Sequence, residues 1–171
     1  NNITVYLDQN GETSVTVAEI DNNSTDNCGI ESRTLDKMDF DCSDLGLNTV
    51  ELTVIDVNGN VGKSTATIVV LDTITPVVLT TPADTELGYC NAVYAYPLPT
   101  AEDNCSYTVT QIEGLPSGST FPVGITTNTF EISDESGNKT QTSFTVDIRA
   151  RYLPFELDDI SICSNEGEFN L

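Results

Sequence analysis

Hydrophobic and polar residues alternate with a period of two along much of the chain. Ile3, Val5 and Leu7 form one such set, and Val50, Leu52 and Val54 another. Ala66, Ile68 and Val70 repeat the pattern, as do Phe144, Val146 and Ile148. Alternation of this kind puts one face of a strand in a core and the other in water. β-branched residues dominate these runs, as half-buried strands favour. No segment shows a convincing amphipathic helix. Short strands divided by turn residues predict an antiparallel β-sandwich. Asp56-Val57-Asn58-Gly59-Asn60 lies between two strands, and so does Asp134-Glu135-Ser136-Gly137-Asn138. In each, Asp opens a turn and a Gly three residues later is free to take positive φ, which predicts a hairpin.

The pattern occurs twice. Gly46 to Pro76 aligns without gaps on Gly124 to Pro154, at an offset of 78. Asp56 falls on Asp134, Gly59-Asn60 on Gly137-Asn138, and Leu52 on Phe130. Upstream, Asp26-Asn27-Cys28 recurs as Asp103-Asn104-Cys105, at an offset of 77. Two copies of one module account for these matches. The expected fold class is all-β, with tandem Ig-like antiparallel β-sandwich modules arranged end to end. The expected divisions are 1–75, 76–153, and 154–171 as the start of a third, incomplete module. Both ends look cut, so the chain reads as an excerpt from a longer exported protein.

The 171 residues carry 27 Asp and Glu against 6 Lys and Arg, with no His and no Trp. A formal charge of −21 argues against nucleic acid as a partner, because binding a phosphate backbone relies on basic side chains. Direct membrane insertion is not expected either, since no run of 18 apolar residues occurs. Without His, a Ser-His-Asp or Cys-His nucleophile cannot be built, and no enzyme is expected. Each module of about 75 residues is small enough to need help with stability. Cys28 and Cys42 lie 14 apart, and Cys90 and Cys105 lie 15 apart. Pairing within each module is the simplest connectivity. A loop of that size contributes roughly 3 kcal/mol in the chain-entropy model. Disulfides imply an oxidising compartment. Cys163 is left over, either free or bonded to a residue outside the chain.

The second copy contains a recognisable set of motifs: Asp103-Asn104-Cys105, Gly118-Ser119-Thr120-Phe121-Pro122-Val123-Gly124, Thr126-Thr127 and Asp134-Glu135-Ser136-Gly137-Asn138. This set resembles the hyalin repeat (HYR) pattern across nearly all of Pro82 to Ile148. It departs from that pattern in the last strand, where many members carry a Cys and Thr142-Ser143-Phe144 has none. The first copy is similar to Ig-like repeats of large Bacteroidota surface proteins, through Asp26-Asn27-Cys28-Gly29, Phe40-Asp41-Cys42-Ser43-Asp44 and Asp72-Thr73-Ile74-Thr75-Pro76. The resemblance implies an Ig-like sandwich, an extracellular cell-surface location and an adhesive role without catalysis. It extends to gliding-motility adhesins exported by the type IX system. The implied partners are neighbouring repeats of the same chain, and other surface proteins or glycans reached through a tip outside this chain.

The acidic turns are the candidate binding sites. Asp56 and Asn58 present oxygens from the hairpin, Asp21 and Asp26 from the segment before Cys28, and Asp72 from the junction. Asp103 and Asp134 occupy the matching places in the second copy, where Ser136 replaces Asn58, so that site is expected to be weaker or absent. Hard cations such as Ca²⁺ take six to eight oxygens, and calcium is the expected cofactor. Asp-x-Asn-Gly is also simply what a turn prefers. The charge is −10 over residues 1–75 and −7 over 76–150, a repulsion that cations would offset. Asp72-Thr73-Ile74 resembles a Bacteroidota O-glycosylation motif, with Thr73 as the acceptor. Tyr94 and Tyr96 read first as core or sheet-surface packing; as an aromatic platform, with Tyr89 nearby, they would serve a second reading, a carbohydrate-binding accessory module of a secreted enzyme. The main reading is a structural and adhesive stalk segment.

Overall fold

The computed structural model describes residues 1–88 and 92–149. Tyr89, Cys90, Cys163 and the expected third module lie outside the described residues. Two compact units are present. Unit 1 comprises Asn1–Pro76 together with Asp103–Tyr107 and Ser133–Lys139, and the described part of unit 2 is built from Val77–Glu102, Thr108–Ile132 and the chain from Thr140 onward.

Unit 1 holds six strands: β1 (Ile3–Tyr6), β2 (Glu12–Ser14), β3 (Ile30–Leu35), β4 (Asp39–Asp41), β5 (Gly46–Asp56) and β6 (Val61–Leu71). A single helical turn, α1 (Val17–Ile20), follows β2, and a 3-10 turn spans Cys42–Asp44. The larger sheet has the order β1-β6-β5-β3. Strands β5 and β6 pair antiparallel, with Val50 opposite Ala66. Strand β1 adds to β6 in parallel, with Ile3 opposite Ile68. The β2–β4 ribbon supplies the facing layer. Its Phe40 packs with Val50, Ala66, Ile68 and Val70 from the larger sheet, and with Leu7, Val15 and Ile20. The alternating residues thus form the core of a sandwich. The helical turn is too short for propensity to hold it. The Glu19 carboxylate closes it by accepting from the Thr16 amide and hydroxyl, at 2.7 and 2.8 Å.

The later part of the chain repeats this plan with β7 (Val77–Thr80), β8 (Thr85–Leu87), β9 (Ala92–Tyr94), β10 (Thr100–Glu102), β11 (Tyr107–Glu113), β12 (Ser119–Phe121), β13 (Gly124–Asp134) and β14 (Lys139–Ile148). The main sheet has the order β11-β13-β14-β8, and β8 joins β14 in parallel. Two short ribbons, β10–β7 and β12–β9, are antiparallel. The fold is all-β and built as Ig-like sandwich modules, each with one parallel edge strand on its four-stranded sheet.

The core of unit 2 is aromatic. Tyr96, Phe121, Phe130 and Phe144 are buried together with Val146 and Ile148. Tyr96 meets Phe144 edge-on, with centroids 4.8 Å apart, and meets Phe130 in the same way at 6.2 Å. Its hydroxyl donates to the Leu115 carbonyl, so the polar tip is satisfied inside the core. Tyr94 is half-buried against the same cluster, and its hydroxyl lies 3.0 Å from that of Thr85. Both rings are therefore packing residues. This is the packing role the sequence favours for Tyr94 and Tyr96, rather than a sugar-stacking platform.

Asn128 takes an inward position on β13, in register with Phe130, Ile132 and Asp134. It is fully buried, and its carbonyl oxygen accepts from the Leu115 amide at 2.9 Å and from the Gln111 side chain at 3.3 Å. Gly114 lets the loop approach this closely. A Cβ there would lie 2.3 Å from the Asn128 oxygen and 2.6 Å from the Thr127 carbonyl, and φ is +91°. Gly114→Ala should therefore destabilise unit 2 by about 1–3 kcal/mol from backbone strain alone. Urea unfolding followed by Tyr fluorescence checks this, and an unchanged midpoint would contradict it.

The disulfide differs from expectation. Cys42 is bonded to Cys105, with Cα atoms 5.7 Å apart, and Cys28 is free and exposed. Pairing of Cys28 with Cys42 does not occur, and with Cys105 engaged, pairing of Cys90 with Cys105 is ruled out too. Cys42 opens the 3-10 turn and packs with Cys105 against the buried cluster of unit 1. Cys28 sits on the surface before β3, held by its amide to the Asp26 carboxylate. Gly11 makes room for the bond: a Cβ there would lie 2.7 Å from the Cys42 sulfur and 2.5 Å from the Asn104 carbonyl. The bridge spans 63 residues. In the chain-entropy model that is worth about 4 kcal/mol, more than either shorter loop would give. Non-reducing peptide mapping should join the Cys42 and Cys105 peptides, and Cys28 should alkylate without reduction. Cys42→Ser should lower stability by about 2–5 kcal/mol.

Candidate metal centre

Three carboxylates converge in unit 1. Asp72, Asp103 and Asp134 each place an oxygen so that the three atoms lie within 4.8 Å of one another. Different backbone features bring them there. Asp72 follows β6, and its Oδ1 accepts from the Ile74 amide at 2.9 Å and the Asn104 side-chain amide at 3.1 Å. Asp134 ends β13 at an inward position, so the strand's period of two buries it. Its oxygens accept from the amide and side chain of Asn138, at 2.8 and 2.7 Å. Asp103 opens the loop that leads to Cys105. The Asn138 side chain also donates to the Asp72 carbonyl at 3.2 Å, and Asn104 donates to the Asp8 carbonyl at 3.2 Å. Two asparagine amides thus tie the acidic loops together.

The oxygens at this point are under-satisfied. Asp72 is 6% exposed and Asp134 8%. Asp72 Oδ2, both oxygens of Asp103 and Asn104 Oδ1 are buried without a hydrogen bond. Only one other buried side-chain atom among the described residues shares that state, the amide nitrogen of Asn128. Burial pushes the Asp103 carboxyl up from its usual range, and the negative charges of Asp134 and Asp72 add to the shift. The amides of Cys105 and Asn104 lie close enough to oppose it, without making hydrogen bonds of good geometry. Buried acceptors facing like charges are costly unless a cation or a proton joins them. Chemically, these are hard oxygen atoms of the kind that could hold a cation such as Ca²⁺.

The other candidate ligands are not part of it. Asp56 caps its own turn: Oδ1 accepts from the Asn58 and Asn60 amides at 2.9 and 2.7 Å, and Oδ2 from the Asn60 side chain at 2.7 Å. The Asn60 side-chain and backbone hydrogen bonds hold its carboxyl below the ordinary range. Asn58 contributes its backbone amide to that turn, and its side chain is exposed. Asp21 accepts from Ser24, which chiefly lowers its pKa, and pairs with Arg33 at 2.9 Å. Asp26 accepts from the Cys28 amide at 2.7 Å. Asp26 and Asp56 line one open cleft, yet Asp72, Asp103 and Asp134 form the one three-acid cluster among the described residues. Asn104 was not an expected participant. Its signal was its place inside the repeated Asp-Asn-Cys motif.

A pH dependence follows. Folded Asp103 keeps its proton to a higher pH than the unfolded carboxyl does, so the folded state binds more protons between the two values. Stability is undiminished below the unfolded value of about 3.9, and falls as pH rises through the folded one. The lowered carboxyls of Asp8, Asp21, Asp41 and Asp56 act in the opposite sense, losing stability as pH falls through their folded values. With chelator present, Tm should pass through a maximum and then decline as pH rises above that of a free carboxyl. The decline should be smaller in Asp103→Asn. Equal declines in the two proteins would contradict the assignment.

Comparison with known proteins places this geometry in a family context. Residues 71–148 match the family model of the HYR domain. The chain is 34% identical over 148 residues to hyalin of Strongylocentrotus purpuratus, covering 81% of this chain and 12% of that protein. It is 31% identical over 134 residues to hyalin of Lytechinus variegatus, covering 73% of this chain and 25% of that one. The chain thus spans a quarter or less of these relatives' length. Among solved structures, it is similar to immunoglobulin domains 1–4 of Sidekick-1, with a TM-score of 0.43 and 14% identity over 86% of this chain and 46% of the other. Cadherin domains 1–4 of Protocadherin Gamma B7 align with a TM-score of 0.36 and 12% identity over 94% of this chain and 53% of the other. The stretch that supplies Asp72, Asp103, Cys105 and Asp134 is the stretch that matches the HYR domain model, residues 71–148.

Proposed function

We propose that the chain is a structural and adhesive repeat segment, part of a stalk, in an extracellular cell-surface protein. The observation that carries this reading is the HYR match over 71–148, within a chain whose first copy repeats the same turn and loop motifs. In this reading, 1–75 and 76–153 are serial modules, and residues from 154 open a third. The segment works mechanically: it displays a distant tip that contacts surface proteins or glycans, and calcium offsets part of its acidity. Cys42–Cys105 supports an oxidising location. No helix among the described residues is long and apolar enough to cross a membrane. Thr73 is exposed beside Asp72, accessible to a glycosylating enzyme. The relatives are sea-urchin proteins, so they lend no support to a bacterial origin, gliding motility or type IX export. Those ideas rest on motif resemblance alone.

Antibody to the chain should label intact, unpermeabilised cells of the source organism. Labelling only after permeabilisation would overturn the reading. A glycan array separates the alternative: reproducible sugar binding by the isolated chain would favour an accessory module. Force spectroscopy tests the mechanical role. The 63-residue span inside the disulfide should stay closed under load in the oxidised chain. Reduction should add about 210–230 Å of contour length, at about 3.3–3.6 Å per residue. No gain on reduction would mean the bridge bears no load.

A further inference from the structure

We propose that Asp72, Asp103 and Asp134, with Asn104, form one calcium site, and that the acidic turns around Asp21, Asp26, Asp56 and Asn58 do not. The proposal deepens the extracellular reading by locating its cation, and rests on it for the supply of calcium outside the cell. Three observations converge. The carboxylate oxygens lie within 4.8 Å of one another, inside the span of about 5.2 Å that two Ca–O bonds of 2.6 Å allow. Asp72 is more than nine-tenths buried, and its Oδ2 has no hydrogen-bond partner. Both oxygens of Asp103 and the amide oxygen of Asn104 share that state, and the Asn104 side chain is hydrogen-bonded to Asp72.

The donor set favours calcium over magnesium. Carboxylates mixed with a neutral amide oxygen make the flexible oxygen cage that Ca²⁺ accepts, whereas Mg²⁺ keeps several waters and demands near-octahedral geometry. The excluded turns already use their oxygens. Asp56 satisfies its own hairpin, and Asp21 is paired with Arg33. The site is also braced. Asp103 lies two residues from Cys105, whose bond to Cys42 fixes the loop.

The test uses the full 171-residue chain, stripped with chelator, in calorimetric titration and thermal melts. CaCl₂ is compared with MgCl₂ and with NaCl at matched ionic strength. Calcium should bind with a stoichiometry of one and a Kd of about 10⁻⁴–10⁻³ M, as in other extracellular modules. It should raise Tm where NaCl does not, and magnesium should do markedly less. Asp103→Asn should melt no lower than the parent without calcium, because one of three repelling charges is gone. It should bind calcium about tenfold or more weakly. Asp72→Asn, which keeps an acceptor for Ile74 and Asn104, reads the same way should the first variant not fold. Asp26→Asn should keep the full calcium response. A response that survives Asp103→Asn and disappears in Asp26→Asn would overturn the location and leave calcium dependence standing. Equal shifts with calcium and NaCl would overturn both. An equal gain with magnesium would overturn the choice of metal.

Discussion

Three carboxylates held at one buried point are the constraint around which unit 1 is arranged. Left to themselves, Asp72, Asp103 and Asp134 would separate, since each adds to the field opposing the others' charge. Covalent and backbone features hold them. The Cys42–Cys105 bond pins the loop carrying Asp103, and Gly11 leaves the space that bond and the Asn104 carbonyl occupy. The amides of Asn104 and Asn138 bridge the segments from both sides.

Much of the fold was legible in the sequence because a period of two has one physical meaning. Val50 and Leu52 on β5, and Ala66, Ile68 and Val70 on β6, are buried as their alternation requires. The same parity explains Asp134, which lies two positions past Ile132 on the inner face of β13. The turns were legible for a similarly local reason. Asp56 and Asp134 each cap the amide of the Asn four residues on, and Gly59 and Gly137 take positive φ. Parallel addition of β1 to β6 and of β8 to β14 was not legible, because alternation fixes a strand's faces and is silent about its neighbour's direction.

The cysteines show where local reasoning stops. Similar spacings within each copy suggested two self-contained loops, but spacing carries no information about which thiols meet in space. Burial decides that. Cys42 and Cys105 pack against one apolar cluster, while Cys28 stays on the surface. The tyrosines show local reasoning succeeding. Tyr94, at the end of β9, and Tyr96, two residues on, both pack with the aromatic core.

The repeat also explains why one acidic turn belongs to the cluster and its twin does not. Asp26 and Asp56 correspond to Asp103 and Asp134, and Cys28 corresponds to Cys105. The two aspartate turns even bond their own backbones alike. The difference lies in a third residue. Asp72 completes the later set from 31 positions upstream of Asp103. The partner of Cys105 lies upstream in the same way, 63 residues away at Cys42. Neither the three-acid cluster nor the disulfide is a property of the motif read alone. Each closes between the motif and a residue upstream of it in the sequence, Asp72 for the acidic cluster and Cys42 for the disulfide.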